Sequence, residues 1–451
     1  MRKRISAFFS VLAAIVLLTV PASAASSGST LKIICADAGQ VIFTPPGSTQ
    51  YAYRYGPAIL IDGDRIDIWA SAPPLVSNGV RYGNDSIEYI RSTDGGKTWT
   101  EWKTVLYPTL NSEDQWSTCD PGAFKYGDYY YVGYTGSPEF RTNPDKEKQV
   151  NNLFIARAKN PEGPYEKWNG NGWGGDPYAI TRYSGDGVGC SMPSFTVKGD
   201  TLYMYYVDQT HPDQDWNSEG NISVSTFSLK DPNWPGNELS NKMCENKPEE
   251  VRYCPDIDKF IGFQLKGGWD YDSYVEIYES TDGVNFTKTS SFRNNFPHYA
   301  HNIGISGNNL GQLDLSIQNY IGTAYTPTGV EAWWGHWHTQ LIPLYIREER
   351  PSSTTSSQPS GSTDSSSRKP TTSSVGSTDG ESSETEGSEP QNSNIESTVS
   401  DDKDKDKEVN NKTEQQEETS YLWLYIVIGA VVVLAGAGTA VYFLVIKKKH
   451  V

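Results

Sequence analysis

This sequence is short of cysteine, of clustered basic residues and of helical periodicity, and each shortage excludes a class of protein. Its cysteines are odd in number and widely spaced, and no two form a CxxC pair. Such a set is not a disulfide scaffold, and it gives a zinc site little support. The part expected to fold has no basic patch, which argues against nucleic-acid binding. The five cysteines are Cys35, Cys119, Cys190, Cys244 and Cys254.

Helical periodicity is missing from residues 31–346. Short aromatic or β-branched runs alternate there with Gly, Asn, Asp and Pro. The first kind of residue favours strands and the second favours turns. The pattern predicts an all-β domain, which we place at residues 25–350.

Both ends of the chain carry apolar runs. Residues 1–24 have a basic start, an apolar stretch and the small residues Ala22-Ser23-Ala24, as in a signal peptide. Residues 421–446 contain no charge and are long enough for a transmembrane helix, and residues 447–451 form a basic cytoplasmic tail. We therefore expect an exported protein, anchored in the membrane by its C-terminal helix, with the β domain outside the cell.

Residues 351–420 separate the β domain from the predicted membrane helix. The first fifty of them include 26 Ser or Thr residues, and a mixed-charge run follows. Such a composition cannot bury enough apolar surface to fold, so we predict a disordered stalk. The stalk holds 15 acidic and 6 basic residues. Its net charge of −9 is about half of the chain's formal net charge of −17. The acidity of the protein therefore does not indicate a cationic substrate.

One hairpin recurs along the β domain. In its clear copies, which begin at Pro57, Pro121 and Pro193, an apolar strand leads to a Gly-Asp turn and a return strand. Weaker copies follow near Pro255 and Ile303, and the five marks are 48 to 72 residues apart. Each interval has room for four short strands, and radial repeats of four-stranded sheets are β-propellers. The sequence therefore predicts a five-bladed β-propeller, since a pair of β-sandwiches does not explain a hairpin repeated at this spacing.

The weaker copies are less regular. We expect the fourth to return at residues 260–263 and the fifth at residues 311–314. The early strand at residues 31–35 is expected to pair with the last blade and close the ring, which would remove the exposed edges.

The residues just before each innermost strand of a propeller meet at one mouth, near the axis. Two of them here are acids, Asp120 and Glu250. Glycoside hydrolysis needs two facing carboxyl groups, one of which burial or a neighbouring negative charge can keep protonated. We therefore predict Asp120 and Glu250 as the catalytic pair, although a structural acid at the start of the strand is an equal alternative for Asp120. The predicted substrate-binding residues are Arg54, Tyr55, Arg252, Tyr253, His301 and Asn302. For His301, a metal-bound histidine and a hydrogen-bonded histidine near the core are the alternatives.

Two further features bear on the mouth and the blades. Residues 92–99 match the Asp-box turn S-x-D-x-G-x-T-W of exported β-propellers, and residues 280–286 are a degenerate copy. This turn is structural, so neither Asp94 nor Asp282 is assigned to catalysis. Loop tryptophans could stack on sugars, although rings folded over their own blade are as common. These tryptophans are Trp116, Trp173, Trp216 and Trp269.

Two resemblances follow from these motifs. The stretch Tyr53-Arg54-Tyr55-Gly56-Pro57, followed by the Asp box, resembles the opening of a sialidase, whose motif arginine binds a substrate carboxylate, and Arg54 matches that arginine. The later hairpins resemble glycoside hydrolase family 43, the arabinanases and xylosidases, on Asp120-Pro121, residues 160–165 and residues 193–200. The second resemblance extends over most of the β domain. It implies a five-bladed hydrolase of poly- or oligosaccharides.

The chain departs from family 43 at two positions. The family has a general-base Asp before the first-blade proline, where Gly56 stands, and another Asp at the third blade, where Ser191 and Met192 stand. These departures favour a non-catalytic carbohydrate-binding propeller, whereas the extent of the resemblance favours a cell-surface glycoside hydrolase. We expect the hydrolase, with the binding propeller as the alternative. We expect a monomer whose partners are a carbohydrate and the membrane. No cofactor or metal is predicted, and a structural Ca²⁺ at the axis is left open.

Overall fold

The computed structural model of this chain describes residues 28–47, 52–143, 146–182, 188–210, 220–328 and 335–350. These residues form strands and turns, which confirms the all-β prediction. In these ranges no helix is long and apolar enough to cross a membrane. The predicted signal peptide, stalk, membrane helix and basic tail lie outside the described residues.

Most of the strands form five four-stranded antiparallel units, I to V. Unit I consists of β3 (Tyr55–Asp62), β4 (Arg65–Ala72), β7 (Ser86–Ser92) and β8 (Lys103–Leu106). Unit II consists of β9 (Ser117–Tyr126), β10 (Tyr129–Ser137), β13 (Asn152–Ala158) and β14 (Glu166–Lys167). Unit III consists of β15 (Gly189–Lys198), β16 (Thr201–Gln209), β17 (Asn221–Ser228) and β18 (Glu238–Met243). Unit IV consists of β19 (Glu250–Cys254), β20 (Lys259–Lys266), β21 (Tyr274–Ser280) and β22 (Thr287–Phe292). Unit V consists of β23 (Ala300–Gly307), β24 (Tyr320–Tyr325), β25 (His338–Glu349) and β1 (Thr30–Cys35).

The remaining strands are short additions to these units. Strand β2 (Gln40–Phe43) pairs with β25. Strands β5 (Leu75–Ser77) and β6 (Val80–Tyr82) form a hairpin after β4, and β11 (Phe140–Asn143) and β12 (Lys146–Gln149) form one after β10.

The first strands of the units contact one another in a closed cycle, in the order β3, β9, β15, β19, β23 and β3 again. Strands β23 and β3 also pair in parallel, which joins units V and I into one sheet. The N-terminal strand β1 pairs with β25 over its whole length, from Thr30 opposite Glu349 to Cys35 opposite Leu344. The prediction that residues 31–35 pair with the last unit is therefore confirmed.

Glycines allow the first strands to approach closely. A Cβ placed on Gly122 in β9 would lie 2.0 Å from the carbonyl oxygen of Pro193 in β15. A Cβ on Gly304 in β23 would lie 1.6 Å from the carbonyl oxygen of Pro57 in β3. Both distances are far inside van der Waals contact, so these two positions accept only glycine at this separation of the strands.

Four of the five first strands carry a β-bulge at the same place. The extra residue is Gly56 in β3, Asp120 in β9, Met192 in β15 and Asn302 in β23, and each has a φ between 47° and 58°. A bulge takes one residue out of the ladder and re-aims its side chain. Strand β19 of unit IV pairs with β20 without a register shift. We call the end of the cycle where these bulges lie the mouth.

Two details of the fold bear on the sequence analysis. The predicted return strand at residues 311–314 is wrong, because β23 pairs with β24, which begins only at Tyr320. Leu313 is buried outside any strand and donates its backbone N–H to the carbonyl oxygen of Tyr253 in unit IV. All five cysteines lie in described ranges as buried free thiols.

Candidate functional site

Three bulge residues bring their side chains together at the mouth. A Cβ placed on Gly56 would lie 3.6 Å from Oδ1 of Asp120 and 3.7 Å from Nδ2 of Asn302. Nδ2 of Asn302 also lies 3.8 Å from Sδ of Met192. Because Gly56 has no side chain, the space between a carboxyl group, an amide and a thioether is left to a ligand or solvent.

Asp120 is a half-buried acid with no ion-pair partner among the described residues. Its carboxyl group accepts hydrogen bonds from the Thr135 hydroxyl and from Sγ of Cys119, the latter at 3.5 Å. Burial raises the pKa of Asp120 to about 6, and the nearby charge of Asp85 acts in the same direction. A carboxyl group with that pKa is protonated in part near neutral pH, as a general acid must be.

Asp85, which influences Asp120 electrostatically, was not among the residues predicted from the sequence. Asp85 is buried just before β7, and its carboxylate accepts hydrogen bonds from the Tyr53 hydroxyl at 2.5 Å and the Ser117 hydroxyl at 2.9 Å. Burial also raises the pKa of Asp85. No local motif marks Asp85, because its partners come from the segment before β3 and from β9.

An aromatic group lies beside the acid. The imidazole of His301 stacks on the Trp337 indole, with ring centroids 4.3 Å apart and an interplanar angle of 27°. Trp269 covers the same imidazole at 4.4 Å, and Tyr55 contacts it at 5.4 Å. Burial lowers the pKa of His301 to about 3, so its imidazole is neutral at physiological pH. Trp269 is 37% exposed, so this aromatic group presents a ring to solvent.

Glu250 lies in a different environment from Asp120. Its Oε2 is 2.8 Å from Nη2 of Arg252 and 3.2 Å from the Ser194 hydroxyl. Ser194 is two residues beyond the bulge residue Met192, which at ~3.3 Å per residue places this ion pair roughly 7 Å deeper than the mouth. Burial raises the pKa of Glu250, and the Arg252 charge opposes that shift.

Arg252 donates its hydrogen bonds within the ring of first strands. Its guanidinium donates to the carbonyl oxygen of Ile305 at 2.6 Å and to the Ser194 hydroxyl at 2.7 Å, in addition to its contact with Glu250. The residue is 5% exposed. Arg252 therefore links units III, IV and V, and we assign it a structural role.

Two other predicted binding residues point to other partners. Arg54 forms an ion pair with Glu88 at 2.5 Å, and its guanidinium lies 4.6 Å from the ring centroid of Phe43. Tyr253 donates its hydroxyl to Asp258, in the turn at the far end of unit IV. The structure thus gathers Tyr55, Asp120, His301 and Asn302 at the mouth and places Arg54, Glu250, Arg252 and Tyr253 elsewhere.

Among the predicted loop tryptophans in the described ranges, Trp269 presents its ring to solvent, over His301. Trp173 packs on Trp168 and Tyr131 of its own unit, with centroids 5.5 and 5.7 Å away. Trp116 is half-buried, and Trp216 lies outside the described residues. Over the described ranges, no group of three or more His, Cys, Asp or Glu side chains is placed to hold a metal ion.

No protein-family model and no curated protein matches this chain. Solved structures with similar folds include glycoside hydrolases, among them arabinofuranosidases and a xylosidase. An α-L-arabinofuranosidase from Podospora anserina, in complex with cellotriose, is 11% identical, with a TM-score of 0.46 over 71% of this chain and 98% of that one. The catalytic domain of the family 62 α-L-arabinofuranosidase from Coprinopsis cinerea is 12% identical, with a TM-score of 0.47 over 70% and 98%.

A family 117 glycoside hydrolase from the marine bacterium Zobellia galactanivorans is 15% identical, with a TM-score of 0.45 over 71% of this chain and 91% of that one. These glycoside hydrolases belong to different families, and the predicted resemblance to family 43 stays a prediction. At these identities and TM-scores, the similarities assign no activity, substrate or catalytic residue to this chain.

Proposed function

We propose that this protein is a five-bladed β-propeller of the glycoside-hydrolase type that binds a poly- or oligosaccharide at its mouth. The observation that carries the proposal is the exposed Trp269 ring, which lies on His301. The next residue, Asn302, directs its amide with the Asp120 carboxyl group into the space beside Gly56. Five four-stranded units with a closed cycle of first strands support the blade count.

The two halves of this site match the two kinds of surface on a sugar. An aromatic ring packs against the C–H face of a pyranose or furanose, and polar groups at its edge fix the hydroxyls. Trp337 and Tyr55 hold His301 under Trp269, so the aromatic surface is ordered before a ligand arrives. A preordered site loses less conformational entropy on binding.

Hydrolysis is the second candidate function, and the raised pKa of Asp120 is the observation that favours it. In this candidate Asp120 is the general acid and Glu250 is the second carboxyl group, whose ionised form the Arg252 charge favours. Two observations favour binding without hydrolysis. Gly56 and Met192 stand where family 43 has aspartates, and the Glu250 ion pair lies deeper than the mouth. We therefore place hydrolysis second.

A screen of the full-length protein separates the two candidates. Wild type and Asp120→Asn are incubated with aryl-glycosides and with plant-type and host polysaccharides, and both binding and released sugar are measured. Binding without turnover supports a carbohydrate-binding propeller. Turnover that Asp120→Asn abolishes supports the hydrolase, whereas turnover that Asp120→Asn leaves unchanged removes Asp120 from catalysis. Absence of both binding and turnover across the panel would contradict the proposal.

We also propose that the protein is exported as a monomer and anchored by residues 421–446 with the propeller outside the cell. The proposal rests on the apolar runs at the two ends of the sequence. Fractionation should find the chain in membranes, and protease added to intact cells should release the β domain. A chain recovered from the cytosol and resistant to external protease would contradict this location.

A further inference from the structure

A pocket lies between units I and II, at the end opposite the mouth, with a volume of about 370 Å³. Arg65 begins β4, Arg91 lies near the end of β7, Lys125 lies near the end of β9 and Lys159 follows β13, so all four reach this end. The volume is in the range of pockets that hold small ligands. Four cationic side chains around one cavity are unexpected in a chain with a formal net charge of −17.

One buried acid holds the two arginines of this pocket in place. Asp67 is 3% exposed; its Oδ2 is 2.8 Å from Nε of Arg65, and its Oδ1 is 3.3 Å from Nε of Arg91. A single carboxylate shared by two guanidinium groups orients both of them and neutralises only one. Nη2 of Arg91 also lies 3.8 Å from Oε1 of Glu162, so Asp67 and Glu162 together balance the two arginines and the excess positive charge of the pocket lies with its lysines.

The two lysines of the pocket are available to a ligand. Among the described residues, neither Lys125 nor Lys159 forms an ion pair, and the ammonium group of Lys125 lies 5.0 Å from the ring centroid of Tyr130. Lys125 is half-buried and Lys159 is exposed, so both can reach a ligand in the pocket. Ammonium groups form strong charge-assisted hydrogen bonds to carboxylates.

The acidic residues of the lining restrict the charge of the ligand. Asp128 and Glu162 also line the pocket, so with Asp67 there are three acids against four cations. One excess positive charge suits a monoanion and disfavours a dianion. The same two carboxylates and the Asn160 amide can accept hydrogen bonds from hydroxyl groups.

We propose that this pocket binds an acidic sugar, a uronic acid whose carboxylate meets Lys125 and Lys159 and whose hydroxyls meet Asp128, Glu162 and Asn160. It is a second carbohydrate site, separate from the mouth and independent of the function proposed there. The protein would then hold a charged glycan at one end while the mouth holds a chain at the other.

Calorimetric titration of the full-length protein with sodium glucuronate tests this site, with glucose and inorganic phosphate as comparison ligands. We expect binding of glucuronate that weakens with added NaCl, because the contacts are ionic. The double variant Lys125→Met/Lys159→Met should bind at least about tenfold more weakly. Lys198→Met is the matched control, because Lys198 precedes the corresponding turn of unit III but pairs with Asp258 and does not line the pocket.

A Trp269→Ala variant keeps this test separate from the mouth. Glucuronate binding that survives Trp269→Ala and falls in the double lysine variant supports the pocket. Equal binding of glucose and glucuronate, tighter binding of phosphate, or full affinity in the double lysine variant would overturn the proposal.

Discussion

Asp120 and Glu250 are two inward carboxyl groups on first strands of the same cycle, and their surroundings are opposite. Asp120 lies at a bulge, half-buried, with a hydroxyl and a thiol as hydrogen-bond partners and a pKa raised to about 6. Glu250 lies on an unbulged strand, in an ion pair with Arg252 that also reaches units III and V. The bulge, rather than the type of acid, therefore decides the role of each carboxyl group. At the bulge of β9 the carboxyl group faces the mouth, and on the unbulged strand β19 it pairs with an arginine that holds units together.

The largest effect should follow from unpairing Glu250. Arg252→Met leaves a buried carboxylate without its cation, which typically costs ~3–5 kcal/mol of the free energy of unfolding. Urea unfolding followed by fluorescence measures the change. Replacing both partners, as in Arg252→Met/Glu250→Leu, should recover most of the loss. A loss below about 1 kcal/mol in the single variant would mean that this pair does not stabilise the ring.

Removing the charge at Asp120 should have the opposite sign. Because its folded pKa of about 6 lies above the ordinary value of 3.8, folding is favoured when Asp120 is protonated. Its stabilising contribution is complete below about pH 4 and is lost as the pH rises through 6. Asp120→Asn, which stays neutral, should therefore be more stable than wild type by about 3 kcal/mol at pH 8 and nearly equal to it at pH 4.

Thermal unfolding of Asp120→Asn between pH 4 and pH 8 checks this dependence. Asp64→Asn, in the exposed turn of unit I, is the control and should give no gain at pH 8. A loss of stability in Asp120→Asn at pH 8 would show that Asp120 is a structural acid that the strand start needs.

A smaller effect should come from Asp85, which influences Asp120 electrostatically. Asp85→Asn removes a negative charge and should lower the pKa of Asp120 below its value in the wild type. Carboxyl carbon NMR titration of Asp120 reports the change directly. Ser117→Ala removes one hydrogen bond from Asp85 while keeping its charge, so it should leave the Asp120 midpoint near that of the wild type. Equal titration midpoints of Asp120 in wild type and in Asp85→Asn would show that Asp85 does not raise the pKa of Asp120.

Much of the fold could be predicted from local chemistry. The Gly-Asp turns, such as Gly127-Asp128, join β9 to β10 and β15 to β16 as the repeated hairpin indicates. The return strand of unit V was missed, because Leu313 uses its apolar side chain and backbone N–H for packing outside a strand. A local pattern of Gly and apolar residues does not distinguish a return strand from a segment that packs outside a strand.

The site was only partly predictable for a similar reason. Asp120 could be found because it precedes the proline of a repeated hairpin. Glu250 and Arg252 are two residues apart and share one face of β19, so their ion pair could also have been foreseen. The depth of this ion pair below the mouth could not have been foreseen, because it depends on the absence of a bulge in β19. Trp269 reaches the mouth through a left-handed backbone conformation in a loop, which no sequence period reveals.

The most direct test of the carbohydrate site at the mouth is the affinity of one bound saccharide for wild type and for Trp269→Ala. The saccharide is taken from the screen, and both affinities are measured by calorimetry on the full-length protein. Loss of the exposed ring should weaken binding by about tenfold or more, the equivalent of roughly 1.4 kcal/mol, while the unfolding temperature changes little. Unchanged affinity in a folded Trp269→Ala would contradict the account, because the saccharide would then bind somewhere other than this aromatic group.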